Sequence, residues 1–150
     1  MTPLGHLAAA LLAATASRFD RRQCHLCLLG ALFPDLVDKP LWWAGVLVTG
    51  HTVAHSVVVL SVGVVFLVAL PRLRALVPVA LGQATHIAGD LLVAYPEFLR
   101  NFAWPLLAQR PTPGGSAVSY WADYATSVTG VVEFALVAAA ALVLVRRGYP

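Results

Sequence analysis

Apolar residues dominate this chain in blocks, set apart by short charged or proline-containing breaks. The first block, residues 4–17, is short and alanine-rich and closes on Arg18, Asp20, Arg21 and Arg22. The second, residues 24–33, runs into Pro34-Asp35-Leu36-Val37-Asp38. The proline disfavours helix at Phe33, and Lys39-Pro40 marks a further break. Residues 41–49 carry Trp42 and Trp43 side by side, the pattern of an interfacial anchor rather than a full span. Residues 51–70 hold no Asp, Glu, Lys or Arg and end at Pro71, Arg72 and Arg74. Residues 75–95 are interrupted in polarity only by Gln83, Thr85, His86 and Asp90. A polar and aromatic stretch, residues 96–124, contains Pro96, Pro105, Pro111, Pro113, Gly114 and Gly115 and reads as an extracytoplasmic loop with one short interfacial helix. Its Trp104, Tyr120, Trp121 and Tyr124 suit the headgroup level of a bilayer. The last block, residues 125–145, ends at Arg146 and Arg147. The pattern predicts an all-α fold: one integral-membrane domain over residues 1–150, a polytopic helical bundle of about five membrane segments. The first two segments are short for a ~30 Å hydrocarbon core and are expected to be tilted or partly re-entrant.

Composition supports that class. Hydrophobic residues make up 59% of the chain and charged residues 11%, with a mean hydropathy of +0.79. A soluble domain carries about 25% charged residues because something must face water. The basic excess is modest, +3, and without a basic run it gives no nucleic-acid footprint. Met1 to Gly5 contains no Lys or Arg, so the first block is expected to persist as a membrane helix rather than act as a cleaved signal. Cys24 and Cys27 stand in C-x-x-C spacing, which binds metal only with further ligands; as a pair they read as small apolar residues inside a helix.

Charge asymmetry orients the bundle. Arg18, Arg21, Arg22, Arg72, Arg74, Arg146 and Arg147 fall on one side and Lys39, Arg100 and Arg110 on the other. The positive-inside rule makes the richer side cytoplasmic, with the N-terminus outside and the C-terminus inside a multi-pass protein of the cell membrane. In that arrangement His6, Asp35, Asp38, His51, His55, His86 and Asp90 all collect at the outer ends of the segments. His51 and His55 are four residues apart, as are His86 and Asp90, so each pair is expected to project from one helical face. Asp35 and Asp38 are placed in a turn or at a helix end. Imidazole and carboxylate are the ligands of zinc and related divalent ions, and three aspartates at or near a bilayer without matching cations need such a partner. His25 stands apart, near Arg22. Gly82 and Gly89 are expected to permit close helix packing.

The stretches Gly30-Ala31-Leu32-Phe33-Pro34-Asp35-Leu36-Val37-Asp38, His51-Thr52-Val53-Ala54-His55-Ser56 and His86-Ile87-Ala88-Gly89-Asp90, with the early His6 and the pair Trp104-Pro105, resemble the YdjM-like family of membrane-bound metal-dependent hydrolases. The likeness covers about residues 5–106. The order of these ligands is also distantly similar to zinc-dependent phospholipase C. That resemblance implies His6, Asp35, His51, His86 and Asp90 as ligands of a phosphoesterase centre; His51 and His55 are alternatives for the principal ligand, and His55 either completes the metal set or holds a leaving oxygen. Thr52 stands where the family commonly has Arg, and no further His follows His86, so one or two ions are expected rather than three. Zinc comes first, with manganese or magnesium as alternatives.

The expected activity is hydrolysis of a phosphoester in a lipid or lipid-linked substrate at the outer interface. Asp35, Asp38 and His55 are the catalytic candidates, and Arg100 and Arg110 are candidates to grip an anionic headgroup. Membrane lipid is expected both as substrate and as solvent, no nucleic acid is expected, and self-association is left open. Two other readings use the same ligands: a metal- or proton-binding transporter or channel subunit, and a scaffold with a structural metal.

Overall fold

The computed structural model describes residues 1–111 and 123–147. Pro113, Gly114, Gly115, Tyr120 and Trp121 of the polar loop lie outside them. Among the described residues the regular structure is entirely helical. Helix α1, Pro3–Ala16, starts with Pro3 in its first turn and Thr2 as N-cap, whose hydroxyl accepts from the Gly5 N–H. A short turn with Arg18 at φ 55° reverses the chain. Helix α2, Arg21–Trp43, opens with a capping box in which Asp20 and Gln23 exchange side chain-to-backbone bonds of 2.8 and 3.0 Å.

Residues 44–56 form irregular turns before helix α3, Val57–Ala69, which is capped by Ser56. A 3₁₀ turn, Pro71–Leu76, leads into helix α4, Val77–Gly89, which widens into a π turn at Asp90–Ala94. A 3₁₀ turn at Pro96–Phe98 and helix α5, Leu99–Phe102, supply the short helix expected in the polar loop. Helix α6, Val128–Arg147, closes the chain.

Two expectations are corrected here. Helix α2 runs unbroken through Pro34 and Pro40, where breaks were expected, and Asp35 and Asp38 therefore sit inside a helix rather than in a turn. A proline inside a helix costs about 3 kcal/mol, and at Pro34 the local preference is overridden by packing. Helix α2 makes its most extensive contact with α4, and the crossing fixes its path on both sides of the proline. A Cβ on Gly30 would stand 2.1 Å from the Val79 carbonyl oxygen, and one on Gly82 would stand 1.9 Å from that of Cys27. The two backbones touch, and only glycine fits between them. The second correction concerns residues 51–56, which are not helical: α3 begins only at Val57.

The polarity of the molecule is inverted. Buried side chains include His6, Asp38, His55, His86, Asp90 and Asn101, whereas Val65, Phe66, Leu36, Phe134 and Val145 are exposed. Helix α3 has no buried residue at all. A small apolar core of Ala8, Ala10, Leu11, Ala14, Cys24, Cys27, Ala31 and Ala140 joins α1, α2 and α6. Both cysteines are in it, and Cys27 Sγ lies 3.6 Å from the Ala10 carbonyl, so they are helix-packing residues as expected. Among the described residues, two helical stretches, Pro71–Ala94 and Val128–Arg146, are long and apolar enough to cross a membrane; Pro3–Ala16 and Val57–Ala69 are apolar but shorter.

The α2–α4 contact gives a first prediction. Gly82→Val drives a side chain into the Cys27 backbone, which cannot move aside, and should destabilise by about 3 kcal/mol or more. Gly63→Ala, where a Cβ meets nothing within 4 Å, should be neutral or stabilise by up to about 1 kcal/mol through helix propensity. Thermal unfolding of the detergent-purified variants measures both, and equal effects would contradict the assigned crossing.

Candidate metal centre

The seven residues singled out in the sequence do meet. His6 lies in the first turns of α1, Asp35 and Asp38 in the second half of α2, and His86 and Asp90 at the junction of α4 with its π turn. Such wide turns occur often at functional sites. His51 and His55 come from the turns between α2 and α3, not from a helical face, yet their rings lie 4.7 Å apart, edge to face. Three overlapping groups have ligand atoms within 4.8 Å of one another: His6, His86 and Asp90; Asp35, His55 and His86; His51, His55 and Asp90.

The hydrogen bonds assign the ring nitrogens. His86 Nδ1 lies 2.6 Å from the Ala31 carbonyl oxygen, which can only accept, so Nδ1 carries the proton. His55 Nδ1 lies 2.8 Å from Asp38 Oδ2 and donates in the same way. In each neutral ring Nε2 is then a bare lone pair, and the two Nε2 atoms face each other at 3.1 Å. Two lone pairs do not bond, so a proton or a metal ion has to lie between them. Carboxylate oxygens close in on the same spot. Asp35 Oδ1 is 3.4 Å from His55 Nε2 and 3.7 Å from His86 Nε2, and Asp90 Oδ2 is 3.3, 3.7 and 3.8 Å from Nε2 of His86, His51 and His55.

Asp35 Oδ1 and both ring nitrogens of His6 are buried without a hydrogen-bond partner, although His6 Nε2 lies 3.3 Å from Asp90 Oδ1. Such orphaned groups are costly unless something else satisfies them. A single proton between the two histidines would leave the other donors unsatisfied, whereas a divalent ion takes imidazole nitrogen and carboxylate oxygen together. The donor set fits a metal.

The remaining contacts hold these donors in place. Asp38 is fully buried and accepts from the backbone N–H groups of Thr52 (2.7 Å), Ala54 (3.1 Å) and His55 (3.1 Å) besides the His55 ring. Its oxygens are committed to binding the irregular turn and aiming His55, the carboxylate–histidine arrangement usual behind a metal ligand. Asp35 Oδ2 takes Lys39 Nζ at 2.7 Å, leaving Oδ1 turned toward the cluster. The Met1 amine lies on Asp90 Oδ1 at 2.5 Å. His6 stacks on His86 at 3.6 Å with their planes 13° apart, and a Cβ on Gly89 would come within 2.7 Å of Met1 Sδ.

Several contributors escaped the sequence pattern. Gln83 donates to the Ala54 carbonyl at 2.9 Å, the Ser56 hydroxyl donates to the Trp104 carbonyl, and Tyr95 and Phe102 pack on the His51 ring. Asn101 bonds both backbone groups of Arg110 and so shapes the polar loop. The Arg100 and Arg110 side chains are exposed and belong to none of the three groups. His25 is exposed on the first turns of α2 and also stands outside them, as expected.

Comparison with family models, with curated proteins and with solved structures gives no match to this chain.

The role of Asp38 can be measured. Asp38→Ala strands three buried backbone donors and frees the His55 ring, and should cost about 3 kcal/mol or more, since an unsatisfied buried donor costs roughly 1–3 kcal/mol. Unfolding in detergent without added metal reads this. A loss below about 1 kcal/mol would show that the turn is held by something else.

Proposed function

We propose that this chain is a membrane-embedded metal-dependent hydrolase acting on a phosphoester of a lipid or lipid-linked substrate at the outer membrane interface. The observation that carries the reading is the pair of bare Nε2 atoms of His55 and His86 at 3.1 Å, with Asp35 Oδ1 unpartnered beside them. His6, Asp35, His51, His55, His86 and Asp90 are the ligand set, for zinc first among divalent ions and in a number of one or two. Bound there, such an ion supplies Lewis-acid activation of water and of a phosphoryl oxygen.

The chain's own residues do the rest. Asp38 holds the His55 proton on Nδ1 and keeps Nε2 directed inward. Asp35, with Lys39 on Oδ2, either ligates the ion through Oδ1 or, where it does not, orients water or accepts its proton. His51 and Asp35 are the least deeply buried of the cluster, so substrate approaches along their side. Arg100 and Arg110 are exposed on the neighbouring loop and are assigned to an anionic headgroup.

The inverted polarity and the two span-length helices support membrane residence, and a lipid substrate follows from a polar centre set in an apolar exterior. Under the positive-inside rule, the basic residues at the α1–α2 turn, the 3₁₀ turn before α4 and the end of α6 support a cytoplasmic side for those segments and an outer side for the cluster. A cysteine at Leu106 should accordingly be labelled by an impermeant reagent added to intact cells, and labelling only after permeabilisation would reverse the orientation.

The activity is tested with metal-loaded protein in liposomes against a phospholipid panel, reading released headgroup or phosphate, with bound metal measured in parallel. His86→Ala and Asp90→Asn should each lose about tenfold or more in metal affinity and lose turnover, while His25→Ala keeps both. Turnover that survives Asp35→Asn and His86→Ala together, or full metal loading with turnover only of non-phosphorylated substrates, would contradict the assignment.

A further inference from the structure

His55 and His86 each have an acceptor on Nδ1 that fixes the ring, but His6 has none: neither of its ring nitrogens has a hydrogen-bond partner. What fixes His6 comes through its backbone. The His6 N–H donates to the Thr2 carbonyl at 3.1 Å. Thr2 is in turn gripped by Glu133 of α6, whose Oε2 accepts the Thr2 N–H at 2.8 Å and whose Oε1 accepts the Thr2 hydroxyl. The same hydroxyl caps α1 by accepting from the Gly5 N–H, and the Tyr124 hydroxyl donates to Glu133 Oε2.

Glu133 is itself buried, in the second turn of a stretch long and apolar enough to cross a membrane. A buried carboxylate within an apolar stretch is costly unless hydrogen-bonded. Its position against α1 is tight, since a Cβ on Gly5 would come within 2.6 Å of Oε2. A negative charge at a helix N-terminus is also favourable to that helix. Glu133 belongs to none of the three ligand groups, and its oxygens are taken by Thr2 and Tyr124, so it acts through Thr2 and not on a metal directly.

We infer that Glu133 is a positioning residue for His6: through Thr2 it sets the register of α1 that stacks the His6 ring over His86 and turns it to Asp90, making α6 part of the support of the metal centre. This rests on the metal reading above. Outer groups of this kind contribute about 10–100-fold to metal affinity.

The test is a double-mutant cycle on zinc affinity of the detergent-purified full chain, by competition with a chelator, with helix content followed by circular dichroism. Glu133→Ala should weaken zinc binding by about tenfold or more, and Glu133→Gln, which keeps an acceptor for Thr2, should recover most of it. The double variant His6→Ala with Glu133→Ala should bind no more weakly than His6→Ala alone, because the second change acts only through the first residue.

Thr2→Val, which removes the hydroxyl's bond to Glu133 and its weak cap on Gly5 but keeps the backbone donor, should show a smaller loss with the same non-additivity, and it carries the test if Glu133→Ala does not fold. Additive losses, or wild-type affinity in Glu133→Ala, overturn the inference while leaving the metal centre in place. A wild-type protein that binds no zinc overturns both.

Discussion

The facing Nε2 atoms of His55 and His86, 3.1 Å apart, organise this molecule. His55 and His86 are each held by a hydrogen bond at Nδ1, one to Asp38 and one to the Ala31 carbonyl, and each is thereby made to present a lone pair to the other. The repulsion is relieved by a proton or a metal ion between them, and a metal ion also takes up the carboxylates around them. Around that constraint the rest is arranged: Asp35 and Asp90 bring negative charge to the same point, and His6 and His51 approach from α1 and from the irregular turn.

The constraint also explains the backbone. The α2–α4 crossing puts the Ala31 carbonyl within 2.6 Å of His86 Nδ1, and it requires glycine at positions 30 and 82 and a helix that continues past Pro34. Asp38 can reach Thr52, Ala54 and His55 only because α2 keeps its helical path one more turn beyond that proline. The cost of a proline inside the helix is thus offset by the network it makes possible. Polar groups share the interior with a core of small apolar residues, many large apolar side chains are exposed, and α3 has no buried residue. A surface of that kind suits hydrocarbon better than water.

The cluster was legible because ionisable residues inside apolar blocks are conspicuous, and all seven singled out lie in or directly behind it. Their supports were less so. Spacing suggested a helical pairing for His51 and His55, but four-residue spacing is equally compatible with a tight turn stapled by a distant carboxylate, and nothing local announces that Asp38 is the staple. The prolines of α2 were read by their local preference, which tertiary contact overrode. Glu133 gives the same signal as Asp90, an acid inside an apolar block, but no histidine accompanies it and its partner is Thr2, more than a hundred residues away in sequence. Long-range backbone contacts of this sort leave no periodic trace.

The central claim is that imidazole and carboxylate donors, not the C-x-x-C pair, hold a divalent ion. X-ray absorption at the zinc edge of the zinc-loaded protein addresses it directly. The account predicts nitrogen and oxygen scatterers at about 2.0–2.2 Å with the outer-shell pattern of imidazole. A sulfur shell at about 2.3 Å, which would draw Cys24 and Cys27 out of the apolar core, or a spectrum without imidazole, would contradict it.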